Sequence, residues 1–461
     1  AEERDRYLTG NIKRCRVMRK AQRRSSMAGT ESSEKPVLTL KLLVDKKKNK
    51  VVLAEAGKEF VNVLFSFLTL PMGTIVRLLE KYQQNQKSQD ATIGSFNSLY
   101  RSVLEASTSS FITEACKDIL LYPRSVHENQ RRQLKLNIDD TDVLKYYICP
   151  NSDSKEFCRA AYSNYCSSRC SCGTLMEKIF EFEDSTTYQD LFTSDKTLFT
   201  ITDDMVVGYT SMGLTLKTLQ GLGYADLDQL HEILVDVDHE KVLALLHCLF
   251  SSNTPLTDVF LRKRSSCFIT KKQSLPSQER NVGKVISVSV FTRKLDQKIL
   301  YVESGKDFVD LLFTFLVLPL NSAWKLSGSN IVFGCIGNFC ESFKSLSSQE
   351  GSTTLTGNCV LPNYYSCQQP LLHVCYSEYY RVLAKTINHQ YCHFKPVDPR
   401  RNRWDANAES NGFVKRGTTF VVSDDLTITP MNLSSNICSL KKWNMDLGDI
   451  EEQVINIREG E

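Results

Sequence analysis

One segment of this chain occurs twice, and a segment that occurs twice is expected to fold twice. The 21 residues VVLAEAGKEFVNVLFSFLTLP (51 to 71) align with ILYVESGKDFVDLLFTFLVLP (299 to 319) at a constant offset of 248, with eleven identities. Unrelated segments of that length would share about one residue. A second pair occurs in the same order. TLFTITDDM (197 to 205) matches TTFVVSDDL (418 to 426), and Asp226-Leu227 with Glu232 matches Asp446-Leu447 with Glu452. The expected architecture is an α+β fold of two tandem, diverged copies of a hairpin-helix-strand-helix module.

Each copy opens on a predicted hairpin. VLTLKLLVD and KVVLAEAG flank the polar turn Lys46 to Asn49, as VISVSVFTRK and QKILYVES flank Leu295-Asp296. Gly57 or Gly305 is expected to let the backbone turn from strand into helix. In the helix after it, Phe60, Val61, Val63, Leu64, Phe65, Phe67 and Leu68 cover several faces, which predicts burial all round. Pro71 or Pro319 then ends it. Downstream, two short strands surround an Asp pair and helices come next, with His231, His239 and His247 read as helical. Glu240 to Phe250 is amphipathic; the second copy stops at Glu461, before an equivalent helix. The resulting division is a basic leader (1–35), a first module with a Cys-rich insert at 149–173 (36–262), a polar linker (263–283) and a second module lacking the last helix of the first (284–461).

Charge narrows the partners. The chain carries a formal net charge of +4, yet residues 1 to 26 hold nine Lys or Arg against three Asp or Glu, more than the whole excess. No bulk electrostatic case for nucleic acid remains. Met27-Ala28-Gly29-Thr30 reads as an initiation segment, so the natural start is expected at Met27, the rival being an Arg-rich transit peptide. The apolar runs Phe60 to Leu70 and Phe308 to Leu318 fall short of the about 20 residues a membrane span needs, so no membrane association is expected. Sixteen cysteines without a secretory signal point to reduced thiols in the cytoplasm or nucleus, where clusters hold metal more often than they form disulfides.

Those thiols concentrate in one place. Cys149, Cys158, Cys166, Cys170 and Cys172 lie together, and Gly57 to Asp203 is 27 residues longer than Gly305 to Asp424, close to the length of this stretch. Four thiolates close a tetrahedral zinc site, so Cys149, Cys158, Cys170 and Cys172 are the expected ligands of a structural zinc, with Cys166 to spare. Reduced thiols in a loop are the competing reading. A looser set, Cys367, Cys375, His389, Cys392 and His393, stands in the second copy. The pairs Asp203-Asp204 and Asp424-Asp425 read as turn residues before they read as acid and base. Gly57-Lys58 and Gly305-Lys306 lack the rest of a phosphate loop, and capping is their expected use. No sequence signature of a hydrolase, zinc protease or dinucleotide site occurs, and no catalytic residue is assigned.

The repeated Glu-Ala/Ser-Gly-Lys-Glu/Asp-Phe-Val block, Cys170-Ser171-Cys172-Gly173 and the run from Gly412 to Leu426 resemble the plant domain-of-unknown-function family numbered 674. The resemblance spans about residue 36 to the C-terminus and includes the duplication, while Leu372 to Asn411 departs from the family pattern. It implies a plant source and a shared fold, and brings no activity, substrate or catalytic residue with it.

The expected function is thus an uncharacterised intracellular plant protein acting as a non-catalytic binding or scaffold protein for protein partners. A small-molecule-binding protein or enzyme using a cleft between the two copies is the alternative. Single-stranded nucleic-acid binding through Arg159, Tyr162, Tyr165 and Arg169 ranks last, because Asp153 and Glu156 dilute the charge.

Overall fold

Alternation along Leu38–Asp45 makes the first strand: Leu38, Leu40, Leu42 and Val44 are buried, and the residues between them face the other way. The computed structural model describes residues 36–86, 93–154, 158, 161–181, 196–262, 285–327, 334–349, 383–387, 390–400, 412–432, 437, 441 and 446–458. The leader and the linker lie outside them. The strands and helices all belong to one compact unit, Val37–Glu461.

Strand β1 (Leu38–Asp45) pairs antiparallel with β2 (Lys50–Gly57). Next comes α1 (Lys58–Ser66), buried at every residue from Phe60 to Ser66. Its N-cap Gly57 has φ −75° and Gly305 in the second half has φ −87°, so ordinary backbone makes both turns and the freedom of glycine is not needed there, contrary to expectation. The helical run stops before the proline as expected, with Leu70 and Leu318 extended, and α2 (Met72–Gln86) starts anew at the residue after Pro71. Then come α3 (Ser95–Glu105), α4 (Glu114–Leu121), the short strands β3 (Tyr146–Ile148), β4 (Ala161–Ser163) and β5 (Lys178–Phe180), β6 (Leu198–Thr202), β7 (Val207–Tyr209) and α5 (Met212–Gly221).

His231 lies on a strand, β8 (Leu230–Val237), not on a helix. This strand pairs with β1 along its whole length while exposing His231, Glu232, Leu234 and Asp236, so its sequence shows no clean alternation. After it, the Asp238 side chain accepts the Lys241 N–H at 2.9 Å and starts α6 (His239–Ser251).

The second half runs through β9 (Ile286–Arg293), β10 (Ile299–Ser304), α7 (Lys306–Val317), α8 (Leu320–Leu326), α9 (Ile336–Gln349), β11 (Leu383–Ile387), β12 (Gln390–Pro396), β13 (Phe420–Ser423), β14 (Ile428–Pro430) and β15 (Ile450–Ile457). One five-stranded sheet has the order β7-β6-β2-β1-β8 and another β14-β13-β10-β9-β15. Strand for strand along each half, the two orders are the same. Non-glycine residues with positive φ, among those described, are Asn49, Met205, Gln297 and Leu426. The first and third stand in the hairpin turns; the other two come just after the Asp pairs.

Each sheet borrows a helix from the other half. In one core, Phe65 meets Phe339 and Phe343 of α9 at ring-centroid distances of 5.4 and 5.0 Å. In the other, Leu99 and Val103 of α3 pack with Val309 and Leu316 of α7 and with Phe420. The Val207 N–H donates to Ser342 Oγ at 3.0 Å, and the Ile428 N–H to Ser102 Oγ at 2.8 Å. Between the halves, the Met72 N–H donates to the Leu318 carbonyl at 2.9 Å and the Leu320 N–H to the Leu70 carbonyl at 3.0 Å.

A third sheet, β11-β12-β4-β3-β5, is also shared, since β12 of the second half adds in parallel to β4 of the first. Among the described residues no helix is long and apolar enough to cross a membrane.

Candidate metal centre

The third sheet carries the cysteines. Cys149 stands just past the end of β3 and leads into a 3-10 turn that begins at Pro150. Cys170 and Cys172 lie in a tight turn in which the Cys170 N–H donates to the Thr174 carbonyl at 2.9 Å and the Gly173 N–H to the Cys170 carbonyl at 2.8 Å. Gly173 has φ +85°, a conformation side chains resist, which accounts for the glycine that ends Cys-Ser-Cys-Gly. Cys158 completes the group from the segment before β4.

The four ligand atoms of Cys149, Cys158, Cys170 and Cys172 all lie within 4.8 Å of one another, and Cys149 Sγ is 3.5 Å from Cys172 Sγ. Zinc–sulfur bonds of about 2.3 Å in a tetrahedron would hold sulfurs about 3.8 Å apart. The spacing therefore suits a single metal ion. Cys149, Cys158 and Cys170 are buried and Cys172 is half-buried, packed around Met176 with Tyr147, Ala161 and Val397 at the edge. Cys166, though buried, is not one of the four.

Burial pushes the Cys149 and Cys158 thiols up, Cys158 to about 11, with the neighbouring thiols adding to the effect. Burial would raise Cys172 as well, but hydrogen bonds from the side chain and backbone of Thr174, and from Cys149 and Cys158, outweigh it and bring this thiol down to about 6. Cys172 is thus the sulfur the fold favours as thiolate, whereas burial holds protons on Cys149 and Cys158 that a cation must displace. Thr174 Oγ1 stands 3.4 Å and Asn151 Nδ2 3.9 Å from Cys172 Sγ, in place to orient that sulfur. Four soft donors leave no position for water or substrate, so the donor set fits a structural metal such as zinc.

Two supporting residues escaped sequence reasoning. Val397 reaches the cluster from the second half, where its N–H donates to the Tyr162 carbonyl at 2.8 Å. Thr174 acts through a hydroxyl next to Gly173, a position no motif marks. The other sequence candidates take different places. Cys392 and His393 are successive residues of β12, while Cys367, Cys375 and His389 fall outside the described residues. Tyr162 and Tyr165 are each only 5% exposed and offer no ring face to a base; Arg159 lies outside the described residues. Asp203 and Asp204 stand in a turn, as expected, and their carboxylates accept hydrogen bonds from Thr257 and Thr202.

A family model described as protein of unknown function (DUF674) matches residues 34–460, and the chain belongs to that family. No curated protein and no solved structure matched the chain.

Proposed function

We propose that this family member is a non-catalytic intracellular plant protein, a scaffold that binds protein partners, built from two copies of one module and clamped by a structural zinc at Cys149, Cys158, Cys170 and Cys172. The observation that carries the reading is the convergence of four mostly buried thiols within 4.8 Å. Nothing but a metal or a disulfide commonly gathers buried cysteines this closely, and four donors at mutual contact suit a metal. The metal would tie β3 to the turn at 170–173 and so stiffen the surface on which β12 pairs. The proposed setting is the cytoplasm or nucleus, where thiols stay reduced and free to bind metal.

The duplicated-module part is supported by the eleven identities between 51–71 and 299–319, by the matching strand orders and by the paired positions of positive φ. In the alternative reading a cleft between the halves binds a small molecule. The junction opposes it: Leu70, Phe65 and Phe339 share one buried core there, and Leu318 is buried in the other.

Metal analysis of protein purified without chelator tests the central claim. One zinc per chain is expected, with none in a Cys170→Ser variant. Wild-type protein that is folded but free of metal would sink the zinc reading, and affinity capture that recovers no reproducible partner would sink the scaffold.

A further inference from the structure

We propose that the chain is an internal exchanged dimer, in which each half lends a helix to the sheet of the other, and that the surface so formed on each half fits one partner, a second copy of the module. This rests on the duplicated-module part of the proposed function and is independent of its zinc.

The contacts between the halves are reciprocal. At the repeat offset of 248, Leu70 and Met72 correspond to Leu318 and Leu320, and these four are the residues that bond to one another across the junction. The same holds farther out. Val207 and Ile428 stand 221 residues apart, as do Asp204 and Asp425; their partners Ser342 and Ser102, and Asn338 and Ser98, stand 240 apart. In each of these pairs, where a residue i of the first half meets j of the second, the equivalent of j meets the equivalent of i. That is the rule of an isologous two-fold interface, here realised within one chain.

The exchange has a physical consequence. Phe65, fully buried, owes part of its cover to Phe339 and Phe343 of α9, and Phe313 of α7 stacks at 6.3 Å on Phe111 of the first half. Without its partner, either half would expose apolar core, which a second module covers and bulk water does not. A covalent link between the copies then serves to keep the partner at high local concentration.

A protease site placed within residues 263–283 of the full chain allows the link to be cut after folding. The halves are expected to stay together: cut and uncut protein elute alike, melt in one transition and part only in denaturant. Two differently tagged preparations, cut, unfolded, mixed and refolded, should yield hybrid complexes. Hydrogen exchange on the uncut chain gives a local reading that survives if the inserted site disturbs folding. Ser342→Ala should speed exchange of the Val207 amide about tenfold, and Ser102→Ala that of Ile428, because each loses its acceptor in the other half. Halves that separate on cutting and melt independently overturn the proposal, as does faster exchange confined to the half that carries the substitution. Zinc content, measured on the same samples, reports separately on the metal.

Discussion

The two five-stranded sheets share a strand order but not the polar ties at their edges. In the first, Asp203 is 6% exposed and accepts the Thr257 N–H at 2.9 Å and Oγ1–H at 2.7 Å, which anchors the segment after α6. Its counterpart in the second, Asp424, has a side chain 54% exposed and lies 3.8 Å from Lys298. The second half buries a carboxylate elsewhere. Asp310 accepts the Phe413 and Val414 N–H groups at 2.7 and 3.0 Å and Lys306 Nζ at 2.6 Å, where the first half has Asn62. A buried carboxylate is costly unless several donors meet it, and at Asp203 and Asp310 those donors come from a segment fastened to the core. Two sheets can share a backbone pairing because that pairing does not depend on side chains, whereas the fastening of loops depends on single residues.

The largest effect should come from Asp310→Ala, which strips the acceptor from two buried N–H groups and from Lys306 at a cost of about 3–5 kcal/mol. Urea unfolding would show it. Asp310→Asn, which copies the residue of the first half, should restore part of the loss; if Asn62→Ala costs as much as Asp310→Ala, the contrast between the halves fails.

Next is the Arg131–Asp139 pair of the first half, 2.6 Å apart with both side chains buried. Burial raises the Asp139 carboxyl, but the Arg131 guanidinium and hydrogen bonds from Thr141 outweigh it and hold the group well below its usual range. With the folded pKa depressed, the unfolded chain takes up the proton first as pH falls, and the stability from this pair is lost below about pH 4. Asp139→Asn should cost about 2–3 kcal/mol at neutral pH and flatten that acid slope. Thermal melts on both sides of pH 4 decide it, and an unchanged slope in the variant would assign the acid sensitivity to other groups.

A smaller contrast concerns the Asp pairs. Asp203→Asn should lose about 1–2 kcal/mol, against less than about 0.5 kcal/mol for Asp424→Asn. Equal losses in chemical denaturation would mean that exposure does not separate the two turns. The smallest change belongs to the hairpins: Gln297→Gly should gain about 0.5–1 kcal/mol by relieving a positive φ, and Asn49→Gly should gain less because asparagine tolerates that region. Melting temperatures of the two variants make the comparison.

Much of this was legible in the residues. The hairpins announce themselves through alternation in Leu38–Asp45 and Ile286–Arg293, and the helices α1 and α7 through apolar residues on several faces, because both patterns reflect local geometry. The four cysteines were legible for a chemical reason: few other uses gather thiols at such density. Strand β8 was not, since its polar residues blur the period, and neither was the strand addition of β12 to β4, which pairs residues more than 200 positions apart through backbone groups every sequence possesses.

By itself, then, the order of residues determined the two opening hairpins and the buried helices that follow them, which segments resemble one another and which thiols are candidates for a metal. These depend on side-chain periodicity and chemistry over short distances. Only the tertiary structure decided that α9 covers the first sheet and α3 the second, and that Val397 closes the cysteine cluster. An amphipathic helix specifies that it must be covered, not by what; when two halves offer nearly equivalent apolar surfaces, the partner is settled by packing and by single hydrogen bonds such as those to Ser342 and Ser102.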